Sequence, residues 1–507
     1  MLKNVGSNWA LSALQILVFL VLTPFVLSSL GTGPFGIWET IVSLAGPLQL
    51  LILGVPMASV RYISEHLAKG DLPAANRAVS TCAGIALVMG LVALVVGLGL
   101  GQVFEQYLAS DRWALSAAEI SDARLAFGVL VFTLAAGFWL RLPYGIFDAH
   151  QDFVARNLIM GGGLLIRLAL TLALLSWHVS LSVLAAVQTI TLVVEFVTAV
   201  VVSRRRHTGI RFGVSGFDRK LLGSILAFSV FSMLLNVGSL LAFRLDALVI
   251  GAFQNQEQVT VYGIGNKVFE PFLNLVLAIG MVVMPLATSK MARGGRDELR
   301  RVLLQWSKVC VSLVLLVGTF LLVLGPEFLD LWMPADEYDP RSGFLLQILM
   351  VSFLIFLPVR GVALPILMGL GKPGRPALAL LLMGLLNVGL SIALIGPLGL
   401  PGVALGTAIP NVLFAGFVLT TACGELHVRL GEYLRHVLGR ALPGVVVPVI
   451  FLLLLKWGPG VSSRPALLGS GLGFTVLFAA CWILFVYRGD PHLDLYARIA
   501  SRRSKGR

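Results

Sequence analysis

Charge is scarce in this chain: only 12% of its 507 residues are Asp, Glu, Lys or Arg. Soluble globular domains carry about twice that share, so a surface bathed in water along the whole chain is excluded. Cysteine is scarcer still. Cys82, Cys310, Cys423 and Cys481 fall in or beside apolar runs without metal-ligand spacing, which argues against a disulfide framework or a zinc site. The glycines of GKPGRP at 371–376 lack the spacing and the Lys-Ser/Thr ending of a phosphate-binding loop, so no nucleotide cofactor is expected.

What the chain does have is oil. Apolar residues make up 57%, and the mean hydropathy is +0.92. A helix needs about 20 apolar residues to cross the hydrocarbon. That window gives about fourteen spans, at 8–30, 36–59, 79–102, 124–146, 155–177, 180–202, 223–250, 260–286, 302–325, 343–369, 375–396, 400–421, 440–456 and 467–487. The first run exceeds a signal-peptide core and lacks a cleavage site, so it reads as a retained helix.

Loop charge orients these spans. With the N-terminus inside, most of the 38 Lys and Arg residues fall on the inner side, as the cytoplasmic bias of basic residues requires. Both termini are then cytoplasmic. The net charge of +13 needs no nucleic acid, because RRRH at 204–207 and the final SRRSKGR serve as inner-face anchors in contact with membrane lipids.

The sequence also repeats itself. PFGIW (34–38) enters span 2 as VYGIG (261–265) enters span 8, and similar basic loops follow at 67–77 and 291–301. Spans 3 and 9 exit through LGLGQVFEQYL (98–108) and LVLGPEFLDLW (322–332); spans 6 and 12 open with LSVLAAVQTI and LPGVALGTAI. Six spans separate the copies, and an even number preserves orientation. The expected fold is therefore all-α and polytopic: two six-helix lobes related by a pseudo-twofold axis along the membrane normal, around a central cavity, plus two extra C-terminal helices. The corresponding divisions are 1–215 (spans 1–6), 216–425 (spans 7–12) and 426–507 (spans 13–14 and a basic cytoplasmic tail).

Polar residues inside the spans mark candidate sites. Span 7 carries Ser229, Ser232, Asn236, Ser239 and Asp246 at helical spacing, and span 6 carries Gln188, Thr191, Glu195 and Thr198. Asn274, Asn387 and Asn411 extend the polar set, which serves either as interhelical glue or as cavity lining. Charges are more telling, because an ionised side chain at mid-membrane costs about 3 kcal/mol on insertion scales. They are Glu39, Arg167, Glu195, Arg244, Asp246, Lys267, Glu270, Lys308 and Arg360. Lys308 lies near the inner end, where its stem can snorkel. Arg244 and Asp246 of FRLDALVIGAF, with Lys267 and Glu270, form a charge-neutral set, either a structural ion-pair network or part of a wet interior. Glu195 can reach Arg167 across the span 5 to span 6 hairpin, whereas Arg360 has no acid near it in sequence. Unpaired arginines suit an anion, phosphate above all, because the guanidinium fork matches its oxygens. Arg167, Arg360, Lys267 and Arg244 are the substrate-binding candidates. Asp246, Glu270, Glu195 and Glu39 are candidates for coupling or ion pairing, since a poorly hydrated carboxylate can exchange a proton or hold a cation.

The PFGIW entry, GVPMASVRYISEHLAKGD (54–71), RLDALVIGAF (244–253) with VYGIGNKV (261–268), PLATSKMAR (285–293) and NVGLSIALIGPLGLPGVALGTAI (387–409) together resemble the multidrug, oligosaccharidyl-lipid and polysaccharide flippase superfamily. The likeness spans about residues 1–425 and is greatest to the polysaccharide-unit branch. It implies a secondary transporter of the bacterial inner membrane that flips an undecaprenyl-diphosphate-linked oligosaccharide to the periplasmic leaflet by alternating access. The implied partners are a coupling ion, H+ or Na+, and the polysaccharide polymerase and glycosyltransferases of the same route. Spans 13 and 14 leave open a lipid II or teichoic-type substrate and, by analogy, a lipid-tail groove against the C-lobe; a multidrug or cation antiporter of the same superfamily is the other alternative. An enzyme is not expected: the long outer loops, 103–123 and 326–342, hold no histidine, and no metal site is spaced for catalysis.

Overall fold

The computed structural model describes residues 2–52, 55–109, 113, 115–213, 216–219, 221–223, 237–292, 295–372, 374–439 and 441–490. Its elements are helices, with no strand among the described residues. Twelve of them are long and apolar enough to cross a bilayer, and Gly444–Trp457 is a shorter apolar helix. The expected span at 223–250 lies partly outside the described residues, as do Ser229, Ser232 and Asn236.

Side-chain exposure explains why a membrane is required. Val95 (71%), Leu158 (69%) and Leu472 (70%) stand outward from their helices, as do dozens of similar residues. Burying one such side chain is worth about 1.5–3 kcal/mol, so this surface is tolerable only against hydrocarbon. The protein is an all-α polytopic membrane protein.

The chain forms two compact units, Met1–Leu240 with Arg244–Thr260, and Leu241–Phe243 with Val261–Arg507. In the first, α1 is Leu2–Leu30 and α2 is Thr32–Ala45, prolonged by a tight turn to Ile52; α3 is Val55–Ala68, α4 Leu72–Leu108 and α5 Ala117–Leu140. Then come α6 (Pro143–Ala149), α7 (Phe153–Trp177), α8 (Leu181–Arg206) and α9 (Asp246–Phe253). The starts are built locally. Asp71 accepts a hydrogen bond from Ala74 N at 2.9 Å to open α4, Ser116 and Glu119 close a capping box on α5, and Asp152 caps α7.

Helix α10 (Gln256–Asn266) carries the chain from the first unit into the second. The second unit continues with α11 (Phe269–Ala292), α12 (Arg296–Trp332), α13 (Pro340–Pro358), α14 (Leu364–Gly369), α15 (Gly374–Leu398), α16 (Leu400–Glu425), α17 (Leu430–Val437), α18 (Ala441–Trp457) and α19 (Arg464–Cys481). Two wide π-type turns interrupt it, Val359–Ala363 after α13 and Trp482–Val486 after α19.

The last two helices pack on α12. Phe474, Phe478, Trp482 and Val486 join Leu324 in one core cluster, with Phe320 and Val323 against it. Polar pins secure both ends. Lys456 Nζ sits 2.8 Å from Glu327 Oε1 and donates to the Val323 carbonyl at 2.7 Å. At the other end Lys308 pairs with Asp490, both buried. Lys308 therefore does not snorkel, because a carboxylate 182 residues away reaches it inside the protein.

Candidate functional site

In the first unit two of the charged candidates, Glu195 and Arg167, meet Arg141 and Tyr144 where α5 breaks. Pro143 has no amide hydrogen to continue the α5 ladder; the chain turns at Arg141 and restarts as α6, with Tyr144 N donating to the Arg141 carbonyl at 3.2 Å. That turn aims Tyr144 at α8, where its hydroxyl donates to Glu195 Oε2 at 3.0 Å. Glu195 lies flat on α7. A Cβ at Gly163 would fall 2.1 Å from Glu195 Oε1, so only glycine leaves room for the carboxylate. Arg167 follows one turn along α7.

Arg141 and Arg167 are exposed, and neither side chain makes a hydrogen bond or ion pair among the described residues. Both act on Glu195 electrostatically. Two cations thus share one carboxylate, which Tyr144 has already engaged. The nearby Arg156 adds no free charge, being paired with Asp148 at 2.9 Å. The direct Glu195–Arg167 pair expected from the hairpin is replaced by the tyrosine bond. Neither Arg141 nor Tyr144 stood among the candidates drawn from the sequence.

In the second unit Arg360 occupies the π-type turn after α13. Such wide turns recur at functional sites. The turn presses Gly361 against its neighbours, so that a Cβ there would meet Val276 Cγ1 at 2.5 Å and Cys310 Sγ at 3.0 Å. The Arg360 side chain is half-buried and has no hydrogen bond or ion pair among the described residues.

Two asparagines sit in separate helix contacts, Asn387 between α15 and α16 and Asn411 between α16 and α13. Asn387 Nδ2 donates to the Ala242 carbonyl at 3.2 Å and to Thr407 Oγ1 at 2.9 Å, and Asn411 Nδ2 donates to Ser352 Oγ at 3.3 Å. Both asparagines are almost completely buried. Gly406 lets the helices close, since a Cβ there would sit 2.3 Å from Ser391 Oγ. Among the other polar candidates, Gln188 and Ser239 are half-buried and Asn274 is exposed.

FRLDALVIGAF divides between two environments. Phe243 stacks near Phe269 and Phe356, with ring centroids 4.8 and 5.6 Å away. The DALVIGAF part is α9, where the carbonyls of Leu248 and Gly251 accept from Tyr107 Oη at 3.0 Å and Trp113 Nε1 at 3.3 Å. Asp246 is 4% exposed, Arg244 and Glu270 are exposed, and Glu39 and Lys267 are half-buried. All five are engaged in interactions of their own.

Residues 1–291 match the family model described as polysaccharide biosynthesis protein. The chain belongs to that family. The chain is similar to the uncharacterized membrane protein EpsK of Bacillus subtilis (strain 168), 22% identical over 502 residues, or 96% of this chain and 94% of that one. Among solved structures, the family member resembles lipid II flippase MurJ in an inward closed conformation, with a TM-score of 0.68 and 11% identity over 96% of this chain and 99% of that one. It also resembles the inward-facing form of a multidrug resistance MATE family transporter of the MOP superfamily, with a TM-score of 0.66 and 16% identity over 82% and 94%. At these identities the likeness is one of fold. The chain is thus a member of the polysaccharide biosynthesis family whose fold is shared with these MurJ and MATE structures, in keeping with the resemblance read from its sequence.

Proposed function

We propose that this protein flips a lipid-diphosphate-linked oligosaccharide from the cytoplasmic to the periplasmic leaflet by alternating access, and that it makes or breaks no covalent bond. The observation that carries the reading is Arg360, a half-buried guanidinium in a spanning segment with no counter-charge among the described residues. A fixed cation in such a place needs an anion to repay its lost hydration. A diphosphate suits it, because its oxygens accept the fork of donors that arginine holds rigidly.

Arg141 and Arg167 supply a second anion-seeking pair in the first unit, and Glu195 holds them in check until substrate arrives. Lys267 and Arg244 assist, and Asp246, Glu270, Glu195 and Glu39 are the acids through which a coupling ion, H+ or Na+, would act. Family membership supports the glycan class, and the similarity to a lipid II flippase agrees with a lipid-linked cargo. The two lobes, their twofold relation, fourteen spans and cytoplasmic termini form the frame of this proposal.

The test is a leaflet assay in vesicles with a purified undecaprenyl-diphosphate glycan and a membrane-impermeant probe. Wild type should move the glycan, and Arg360→Glu and Arg167→Glu should not. Undiminished transport by both variants, or movement of a cationic drug in place of the glycan, would overturn the reading.

A further inference from the structure

Helix α17 is short and lies between two apolar helices, α16 ending at Glu425 and α18 beginning at Ala441. It is tied closely to both. Val428 N donates to the Cys423 carbonyl at 2.9 Å, His427 adopts a left-handed φ of 52°, and Ala441 N donates to the Leu438 carbonyl at 3.0 Å. Because Leu400–Glu425 is long and apolar enough to cross a bilayer, a segment held this tightly to its end belongs at the edge of the hydrocarbon rather than within it.

Its faces are sharply sorted. Tyr433 (4% exposed) and Val437 (1%) enter the protein, whereas Leu430, Leu434 and Leu438, spaced by four residues, are 39%, 39% and 42% exposed. Glu432 pairs with Arg300, and His436 Nε2 lies 4.0 Å from Asp490 Oδ2, so that side is also turned to protein. One arc is left open: the leucine row, bordered by the exposed Arg435. That is the arrangement of a helix lying in the interface with its apolar face among acyl chains.

The cations beside this arc have no direct side-chain partner. The acids nearby are bonded to other cations, Glu425 to Lys372 at 2.5 Å and Glu432 to Arg300. The side chains of Arg429, at the start of α17, and Arg435 are exposed and make no hydrogen bond or ion pair among the described residues; they reach Glu432 only through the longer-range electrostatic pull of their charge. Two guanidinium groups without a bonded partner near a leucine row complement a lipid that offers a phosphate above and an acyl chain below.

We infer that α17 is a docking surface for anionic glycerophospholipids of the leaflet it borders, with Arg429 and Arg435 on the phosphates and Leu430, Leu434 and Leu438 among the acyl chains. The inference is independent of the transported substrate.

The test uses the full chain with a spin label at Leu434→Cys. The four native cysteines are buried, so unmutated protein gives the labelling background. In vesicles of phosphatidylethanolamine with phosphatidylglycerol, the label should be reached by oxygen and shielded from a water-soluble relaxant. In detergent, phosphatidylglycerol retention should fall about fivefold per arginine in Arg429→Gln, Arg435→Gln and the double variant, as expected for one basic side chain near an anionic surface. Phosphatidylethanolamine retention and the unfolding temperature should not move. A label open to the aqueous relaxant, or unchanged phosphatidylglycerol retention in the double variant, would overturn the inference.

Discussion

Lys308 and Asp490, 182 residues apart in the chain, form an ion pair whose side chains are 3% and 1% exposed. Around it Ser312 Oγ accepts from Trp482 Nε1 at 2.5 Å and lies 2.7 Å from Tyr487 Oη, which ties the last helical segment to α12. Removing one partner of a buried pair strands the other charge, typically at a cost of about 3–5 kcal/mol. Lys308→Ala and Asp490→Ala should each lower the unfolding temperature in detergent by that equivalent. The double variant Lys308→Met with Asp490→Leu should regain most of the loss, because neither charge is then stranded. Additive losses in the double variant would show that the two residues act separately.

Two adjacent glycines of α7 separate site geometry from helix stability. A Cβ at Gly162 meets nothing within 4 Å, so Gly162→Ala should stabilise by about 0.5–1 kcal/mol through helix propensity and leave transport unchanged. At Gly163 the new methyl falls 2.1 Å from Glu195 Oε1 and 2.7 Å from its Cγ, so the whole side chain must swing away and give up the Tyr144 bond, at a cost of about 1 kcal/mol. Gly163→Ala should therefore match Glu195→Gln in the leaflet assay while unfolding only slightly below the wild-type temperature. Full transport by Gly163→Ala would show that the position of Glu195 is unimportant.

The membrane class and the isolation of Arg360 were legible in the sequence because each depends on composition or local spacing. Among the described residues most apolar windows coincide with helices, because a spanning segment must satisfy its backbone internally. What escaped was set by distance or by rotation. Asp490 is remote from Lys308, so nearness to a helix end argued for snorkelling. Asn387 and Asn411 share the polar character of cavity residues, but their rotation about α15 and α16 turns them into helix contacts, Asn387 against α16 and Asn411 against α13. Tyr144 was hidden for a third reason: Pro143 breaks the helix and redirects the following residues toward α8. A proline after Arg-Leu within an apolar run was the available signal. The π-type turn at Arg360 had none.

Acid should loosen the junction of α6, α7 and α8. His207 stacks on His150 with ring centroids 4.0 Å apart and lies 3.4 Å from Asp152 Oδ2. Burial, then the neighbouring His150, holds its imidazole below the usual histidine range, and the opposing pull of Asp152 does not reverse this. The folded state therefore takes up a proton less readily than the unfolded chain. Stability from this group is complete above the ordinary value of 6.5 and is lost as pH falls through the depressed one. Unfolding temperatures measured from pH 8 to pH 5 should fall less steeply for His207→Phe, which keeps the stack and removes the titration. Identical slopes would place the acid sensitivity elsewhere.

Arg360 offers the sharpest separation of function from stability. A residue kept only for packing loses stability when it is replaced, whereas a cation kept for an absent anion burdens the fold until that anion arrives. An unpaired charge in a span costs up to about 3 kcal/mol, so Arg360→Met, which retains the length and apolar stem, should unfold at or above the wild-type temperature. The same variant should lose glycan transport. Arg360→Lys keeps the charge but not the two-pronged donor, and should transport more than Arg360→Met and less than wild type. Both measurements belong on one preparation, because a methionine variant that is less stable and still active would make Arg360 a structural residue and leave the diphosphate without its principal partner.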